Sequence, residues 1–347
     1  MKTRIIQRSI MDKKVWDEFV WANKDGYVYH LYDMICLDRY VEDKDISFAI
    51  WDDDRNEIVC VCMLHIEEKY NGDILLHSRY GNVLKDDMTP KQTRKICQAY
   101  MEYIDALIKK TNAISLAAGT PPLAESGYPT ENRVVNPLMK FGYGPSMIAP
   151  QYTWILNLKG TEQQLVSRCE QTTRQAIRKI DAEKKYIVIE AKNNSDDLKT
   201  YIKLHEETYI RTGASHAILN IGYQKNIFEH LIPEGTCRVF FLKCGETDMI
   251  IASVALLIYK NSGYYWWGAS SNEKEIGINK YLLWRSMMIV KQDYYSCHSE
   301  EENYWFELGG AYPYLRQGKK KGLSDFKKCF GCTLHPIFRG EYIMPDM

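Results

Sequence analysis

Hydrophobic positions switch between helical and strand spacing along this chain, and the switches divide it into two similar halves. Val15, Phe19 and Ala22 share one face of a short helix, and a further helical stretch lies around Met34–Tyr40. Runs of strand character follow at Ser47–Trp51, Ile58–Ile66 and Ile74–His77, with the polar turn 52–56 making the first two a hairpin. Thr89, Pro90 and Gln92 make a capping box with proline in the first turn, and Ile96, Tyr100, Ile104 and Ile108 carry that helix to about Lys110. A strand at Ala113–Ala118, a Gly/Pro-rich loop over 119–137 and a helical turn at Pro137–Phe141 complete the first half.

The second half opens with a strand at Thr153–Leu158 and a second capping box, Thr161 to Gln164. One helix is expected behind that box, with Leu165, Cys169, Ala176, Ile177 and Ile180 inward and Arg174 and Arg178 together on another side. After a strand at Lys185–Ala191, Ser195 is the expected cap of a helix reaching Thr212, whose apolar stripe includes His205 as a packed histidine. A helix near 222–231 leads to a meander of three strands, Cys237–Lys243, Met249–Tyr259 and Tyr264–Ala269. The helix over Gly277–Gln292 is apolar on nearly every side and so belongs inside the fold. Strands at Tyr304–Leu308 and Thr333–Phe338 close the chain. The same α+β order is thus used twice, predicting domains over 1–150 and 151–347.

Composition narrows the function. Length suits two domains, and zero net charge argues against a dedicated nucleic-acid coat or a membrane-surface protein. The charge is nevertheless uneven: residues 311–340 hold seven Lys or Arg against one acid, Asp325. The first residues lack the apolar core of a secretory signal, and the longest apolar run, Met249–Tyr259, is too short to span a bilayer. A reducing cytoplasm with inert, mostly buried thiols accounts for the ten cysteines. Cys329-x-x-Cys332 stands alone without a second such pair, so no metal site is expected.

Several words of the sequence carry a resemblance. Thr172-Thr-Arg-Gln-Ala-Ile-Arg-Lys179, Tyr209-Ile-Arg-Thr-Gly213, the meander ending in Gly268-Ala-Ser270, and above all Glu307-Leu-Gly-Gly310 with Phe326-Lys-Lys-Cys-Phe-Gly331 resemble the Fem aminoacyl transferases and their FemAB-like relatives. In the first half Tyr29-His-Leu31, the hairpin and Ser78-Arg-Tyr-Gly81 are similar but less distinctive. The resemblance implies two tandem domains of the GNAT acyltransferase fold. It also implies attachment of an amino acid or another acyl group to an amine of a cell-wall or surface-glycan precursor. Two departures bear on the substrates. Where relatives that bind a nucleotide-linked muropeptide carry Trp followed by Lys, residues 34–40 read MICLDRY, with Arg39 as the nearby cation. Where CoA-binding GNAT proteins carry a glycine-rich pyrophosphate loop, 272–277 read NEKEIG. The donor stays open between aminoacyl-tRNA and acyl-CoA, and the alternative readings are a CoA-dependent acyltransferase acting on an amino sugar or small amine, or a non-catalytic GNAT-like binding module.

The chemistry needs an amine, an activated acyl group and a counter-charge for the tetrahedral oxyanion. No GxSxG and no Cys–His pairing offers a nucleophile, so direct transfer is expected. The resemblance points to Lys327 as the cation facing the oxyanion or a donor phosphate, with Phe326 packing under the acyl group or terminal base. Glu307 would orient Lys327 or accept the amine proton. Arg174, Arg178 and Arg211 are candidate phosphate forks, and Tyr209, Tyr265, Ser78 and Tyr80 are candidate cleft hydroxyls. Arg316, Lys319, Lys320 and Lys321, in the basic loop, would meet donor phosphates, whether of CoA or of a tRNA acceptor end. A lipid-linked acceptor would bring the protein to a membrane surface without a spanning helix.

Overall fold

The computed structural model describes residues 1–37, 44–69, 71–124, 135–213, 221–271 and 276–342. In chain order the first part runs β1 (Thr3–Gln7), α1 (Lys13–Ala22), β2 (Phe48–Asp52), β3 (Glu57–Cys62), β4 (His65–Glu68), β5 (Ile74–Ser78), β6 (Asn82–Leu84), α2 (Pro90–Thr111), β7 (Ala113–Gly119) and β8 (Gly144–Pro145). The second runs β9 (Tyr152–Asn157), α3 (Glu162–Arg168), α4 (Gln171–Glu183), β10 (Tyr186–Glu190), α5 (Ser195–Thr212) and α6 (Ile221–Asn226). It continues with β11 (Cys237–Cys244), β12 (Ile250–Tyr259), β13 (Ser262–Ser270), α7 (Ile278–Cys297), β14 (Trp305–Ala311), α8 (Lys319–Lys328) and β15 (Thr333–Pro336), and β16 (Arg339–Tyr342) ends the described chain.

Two compact units result, one of residues 1–151 with 336–347 and one of residues 152–335. The expected second domain ran to the C-terminus. Instead β16 pairs antiparallel with β7 and β8 in the first unit, so the chain returns to where it began. That first unit holds the sheets β1-β2-β3-β6 and β4-β5-β7-β16-β8. The run expected as one strand over 58–66 is broken into β3 and β4, which pair in different sheets. Phe48, Ile50, Val59, Ile96, Tyr100 and Ile104 form its core under α2, and that helix starts with the expected Thr89–Gln92 box.

The second unit is one seven-stranded sheet, β10-β11-β12-β13-β14-β9-β15. β10 with β11, β11 with β12, β12 with β13 and β14 with β9 pair antiparallel, whereas β13 and β14 are parallel and are connected by the buried helix α7. The first unit repeats this device, since β5 and β7 are parallel with α2 between them in sequence. The expected α+β order is thus present in both units. Trp284 and Met287 of α7 are fully buried, in a cluster that includes Phe240, Leu256 and Phe306.

Three further elements depart from expectation, each for a local reason. The helix behind Thr161 is two helices, because Cys169 is extended (φ −64°, ψ 154°) and the Glu170 amide donates to Cys329 O at 2.9 Å. Asn194, not Ser195, caps α5, its side-chain oxygen accepting from the amides of Asp196 and Asp197. The basic loop is shorter than expected, since Lys319, Lys320 and Lys321 form the first turn of α8.

Candidate active site

The site grows from a parting of strands. β13 and β14 are paired only from Ser262 with Trp305 to Tyr264 with Glu307, although both continue beyond. β14 stays bound to β9 on its other side, but its register shifts between Glu307 and Gly309, a bulge that bends the strand where the pairing with β13 ends. Gly309 has φ +81°, a conformation glycine adopts without strain. A Cβ there would lie 3.2 Å from Lys327 Nζ. The first glycine therefore provides both the turn and the room for the ammonium, which donates to Gly310 O at 3.4 Å.

Burial lowers Lys327 from its ordinary 10.5 to about 8, opposed by the negative charge of Glu307. Glu307 is itself buried and accepts from Thr153 Oγ1 at 2.8 Å. Its placement suits orienting Lys327 rather than meeting solvent. The pair is a cation held in a poorly hydrated place beside a backbone carbonyl, with an anion behind it.

A second bulge sets the neighbouring rings. In the β12–β13 ladder Ala255 faces Trp267 and Leu256 faces Tyr265, so Trp266 is the extra residue. Tyr265 and Trp267 are thereby turned to different neighbours. Trp267 lies 6.1 Å from the His205 ring, and Tyr265 lies 6.2 Å from the ring of Phe326. The Tyr265 side chain folds back over Gly268, where a Cβ would be 2.3 Å from its hydroxyl oxygen. Burial pushes that hydroxyl up to about 12, leaving it a neutral donor.

Two cavities, whose described lining residues all belong to the second unit, meet at Phe326. One of about 220 Å³ is lined by Thr208, Ser253, Tyr265, Gly268, Leu282, Leu283, Leu323 and Phe326, among others. The other, about 370 Å³, lies at the start of α7 with Gly277, Asn279 and Lys280, and takes Thr172 and Ala176 from α4. Arg211 and Ser270 line both. Gly277 has φ +99°, and a Cβ on it would meet Ala176 Cβ at 2.7 Å, so α4 and α7 approach closely only because it is glycine. Lys327 itself lines neither cavity; its neighbour Phe326 lines both.

The expected site residues distribute unevenly. Phe326, Tyr265 and Arg211 are on the cavities. Arg211 is no free phosphate fork, since Nη1 donates to Ser270 O at 2.9 Å and Ser271 O at 2.6 Å and Nη2 to Ser270 Oγ at 3.0 Å. It fastens the end of β13 to α5. Arg174 donates to Ser167 O and Cys169 O at the end of α3, and Arg178 is exposed. On α4 it is Thr172 and Ala176 that line the cavity. Tyr209 is buried beside His205 and lines neither cavity, which Thr208, Arg211 and Thr212 reach instead. Arg316, Lys319 and Lys320 are exposed and line neither cavity, and Lys321 pairs with Asp325 one turn on. In the first unit Ser78 Oγ donates to Gly81 O at 3.2 Å, closing the turn after β5, and Tyr80 packs 4.9 Å from both Tyr27 and Tyr29. Arg39 and residues 272–275 of the NEKEIG stretch lie outside the described residues.

With this geometry in view, residues 167–299 match the family model described as an acetyltransferase (GNAT) domain. That match lies within the second unit. By fold the whole chain is similar to FemX, with TM-score 0.74 at 16% identity over 100% of this chain and 98% of that one. A tandem GNAT protein from the clavulanic acid biosynthesis pathway follows the chain over 99% of its length and 100% of that protein's, at 11% identity and TM-score 0.59. L-PGS from Bacillus licheniformis matches with TM-score 0.59 and 12% identity over 95% of this chain and 91% of that one. No curated protein matches by sequence. The GNAT domain model begins at the end of α3 and ends after α7. The glycine pair and Lys327 lie beyond it, on β14 and α8.

Sequence reading missed Thr172, Ala176, Ser253, Gly277, Asn279 and Lys280. Only Gly277 carried a signal, as the lone glycine opening a buried helix; the others are placed by contacts distant in sequence.

Proposed function

We propose that this protein transfers an activated acyl or aminoacyl group directly to an amine of a cell-wall or surface-glycan precursor, without a covalent enzyme intermediate. The observation that carries this reading is the partly buried ammonium of Lys327, held over Gly309 and Gly310 where β13 and β14 part. Negative charge born on the carbonyl oxygen as the amide forms would meet that fixed cation, and one such donor is typically worth about 3–4 kcal/mol, or roughly 10²–10³ in rate. Phe326 supplies the apolar surface beside the acyl group, and the neutral Tyr265 hydroxyl can donate to the departing oxygen or sulfur. The amine arrives as a nucleophile once deprotonated, so the site needs orientation and charge more than a strong base.

For the donor, aminoacyl-tRNA follows from the resemblance of the β14–α8 motif to Fem transferases. The start of α7 supports the second reading, acyl-CoA. Its first turn lines the larger cavity, its cap is a glycine without side-chain competition, and Lys280 stands beside it. The positive end of a helix favours a phosphate there. Incubation of the protein with alanyl-tRNA or acetyl-CoA and an amine-bearing muropeptide precursor, followed by mass detection of the product, tests both. An added acyl mass that Lys327→Ala reduces by two orders of magnitude supports transfer; unchanged turnover in that variant removes the assigned role.

A further inference from the structure

The smaller cavity has an unusual wall. Ser253 of β12 lines it, is 2% exposed, and its hydroxyl has no hydrogen-bond partner among the described residues. Strand alternation explains the direction of that side chain. Val254 belongs to the core cluster under α7, whereas Ala255 lies opposite Trp267, whose ring meets His205 of α5. Ser253 therefore shares the α5 face with Ala255.

That face holds more groups of the same kind. The Tyr201 hydroxyl, His205 Nε2 and Gln224 Oε1 also lack a partner among the described residues, and these residues are 0%, 2% and 1% exposed. Tyr201 and His205 pack ring to ring at 4.4 Å. Burial lowers His205 to about 4 and raises Tyr201, so this patch stays polar and uncharged near neutral pH. Buried polar groups are ordinarily paired, and each exception needs a reason. Among the described residues the cavity lining has one cation, Arg211, and its guanidinium is engaged by the backbone of Ser270 and Ser271.

We infer that the cavity is a selective acyl pocket, in which Ser253 reads a neutral hydrogen-bonding group, a hydroxyl above all, on the transferred acyl chain. This rests on the transferase reading above and adds to it which acyl groups are preferred. About 220 Å³ holds a short acyl chain but not a long one. A buried serine with no other partner favours a chain that completes its hydrogen bond, and a hydrocarbon analogue would leave it unmade. A charged side chain would enter without a free counter-charge.

The test compares matched non-reacting or reacting donors that differ by one hydroxyl. For the CoA branch these are 3-hydroxybutyryl-CoA and butyryl-CoA; for the tRNA branch, 3′-amino-3′-deoxyadenosine carrying seryl or alanyl in amide linkage. Dissociation constants are measured for the wild type and for Ser253→Ala. The expected result is a preference of about five- to a hundredfold for the hydroxyl-bearing member, collapsing to near unity in Ser253→Ala. That variant should keep or slightly raise its melting temperature, because it removes a buried unpaired group. Tight binding of both members with no preference overturns the pocket while leaving the transferase reading intact. Binding of neither pair overturns both. A preference retained in Ser253→Ala, or a marked loss of melting temperature, assigns Ser253 a structural role instead.

Discussion

Lys327 rests its ammonium against Gly309, 3.2 Å from where a Cβ would be, and the glycine has φ +81°. The strand's positive-φ residue and the helix's buried cation are thus one device: the backbone adopts a turn that makes space for the charge beside it.

Gly309→Ala should therefore lose on two counts. An L residue at this φ costs about 1–2 kcal/mol, and its methyl displaces the amine by a few tenths of an ångström. The expected outcome is a lower melting temperature together with a drop in kcat larger than any rise in KM. An unchanged kcat with intact folding would separate the glycine from the chemistry.

Turnover should follow the protonation of Lys327. Burial sets its value at about 8, below the ordinary 10.5. Charge stabilisation by the ammonium is complete below about pH 8 and is lost as pH rises through it. Stability moves the other way: the buried cation costs most below about 8, and the cost is relieved between there and 10.5. A pH profile of kcat and a thermal melt series over pH 7–10.5 would show the two trends.

Glu307→Gln should shift that profile. The carboxylate raises the Lys327 value against burial, so its removal moves the alkaline limb of kcat below about pH 8. The amide can still accept from Thr153 Oγ1, which keeps the strand pairing in place. A limb that stays put would show that Glu307 does not act on Lys327.

Arg211→Lys should loosen the cavities. The guanidinium bridges two successive carbonyls, of Ser270 and Ser271, and an ammonium cannot hold both in one plane. Weaker donor binding with kcat less affected is expected, read from steady-state kinetics against donor concentration.

The exposed cations of α8 and the loop before it report on the donor. If tRNA is bound there, neutralising Arg316, Lys319 and Lys320 should flatten the slope of log affinity against log salt by roughly 2, at about 0.7 per phosphate contact for a single strand. Equal slopes for wild type and the triple variant would exclude this surface from tRNA binding.

Particular residues show where sequence reading reaches its limit. Capping boxes at Thr89 and Thr161 were legible because they bond within four residues. Phe326 and Lys327 were singled out by a local word that resembles a family, and the fold seats both at the parting of β13 and β14. The helix position of Arg174 says nothing of which neighbour claims the guanidinium; the carbonyls of Ser167 and Cys169 do. Ser253 went unnoticed in an otherwise apolar strand.

The sequence by itself determined the two-fold repeat of α+β elements, the buried character of α7 and the glycine–lysine motif, since these depend on spacing and short-range bonds. Tertiary structure alone decided that β16 returns to the first unit, that Trp266 bulges so Tyr265 faces Phe326, and that the Lys327 ammonium is removed from water. Register, burial and charge environment depend on partners far along the chain, and no local pattern carries them.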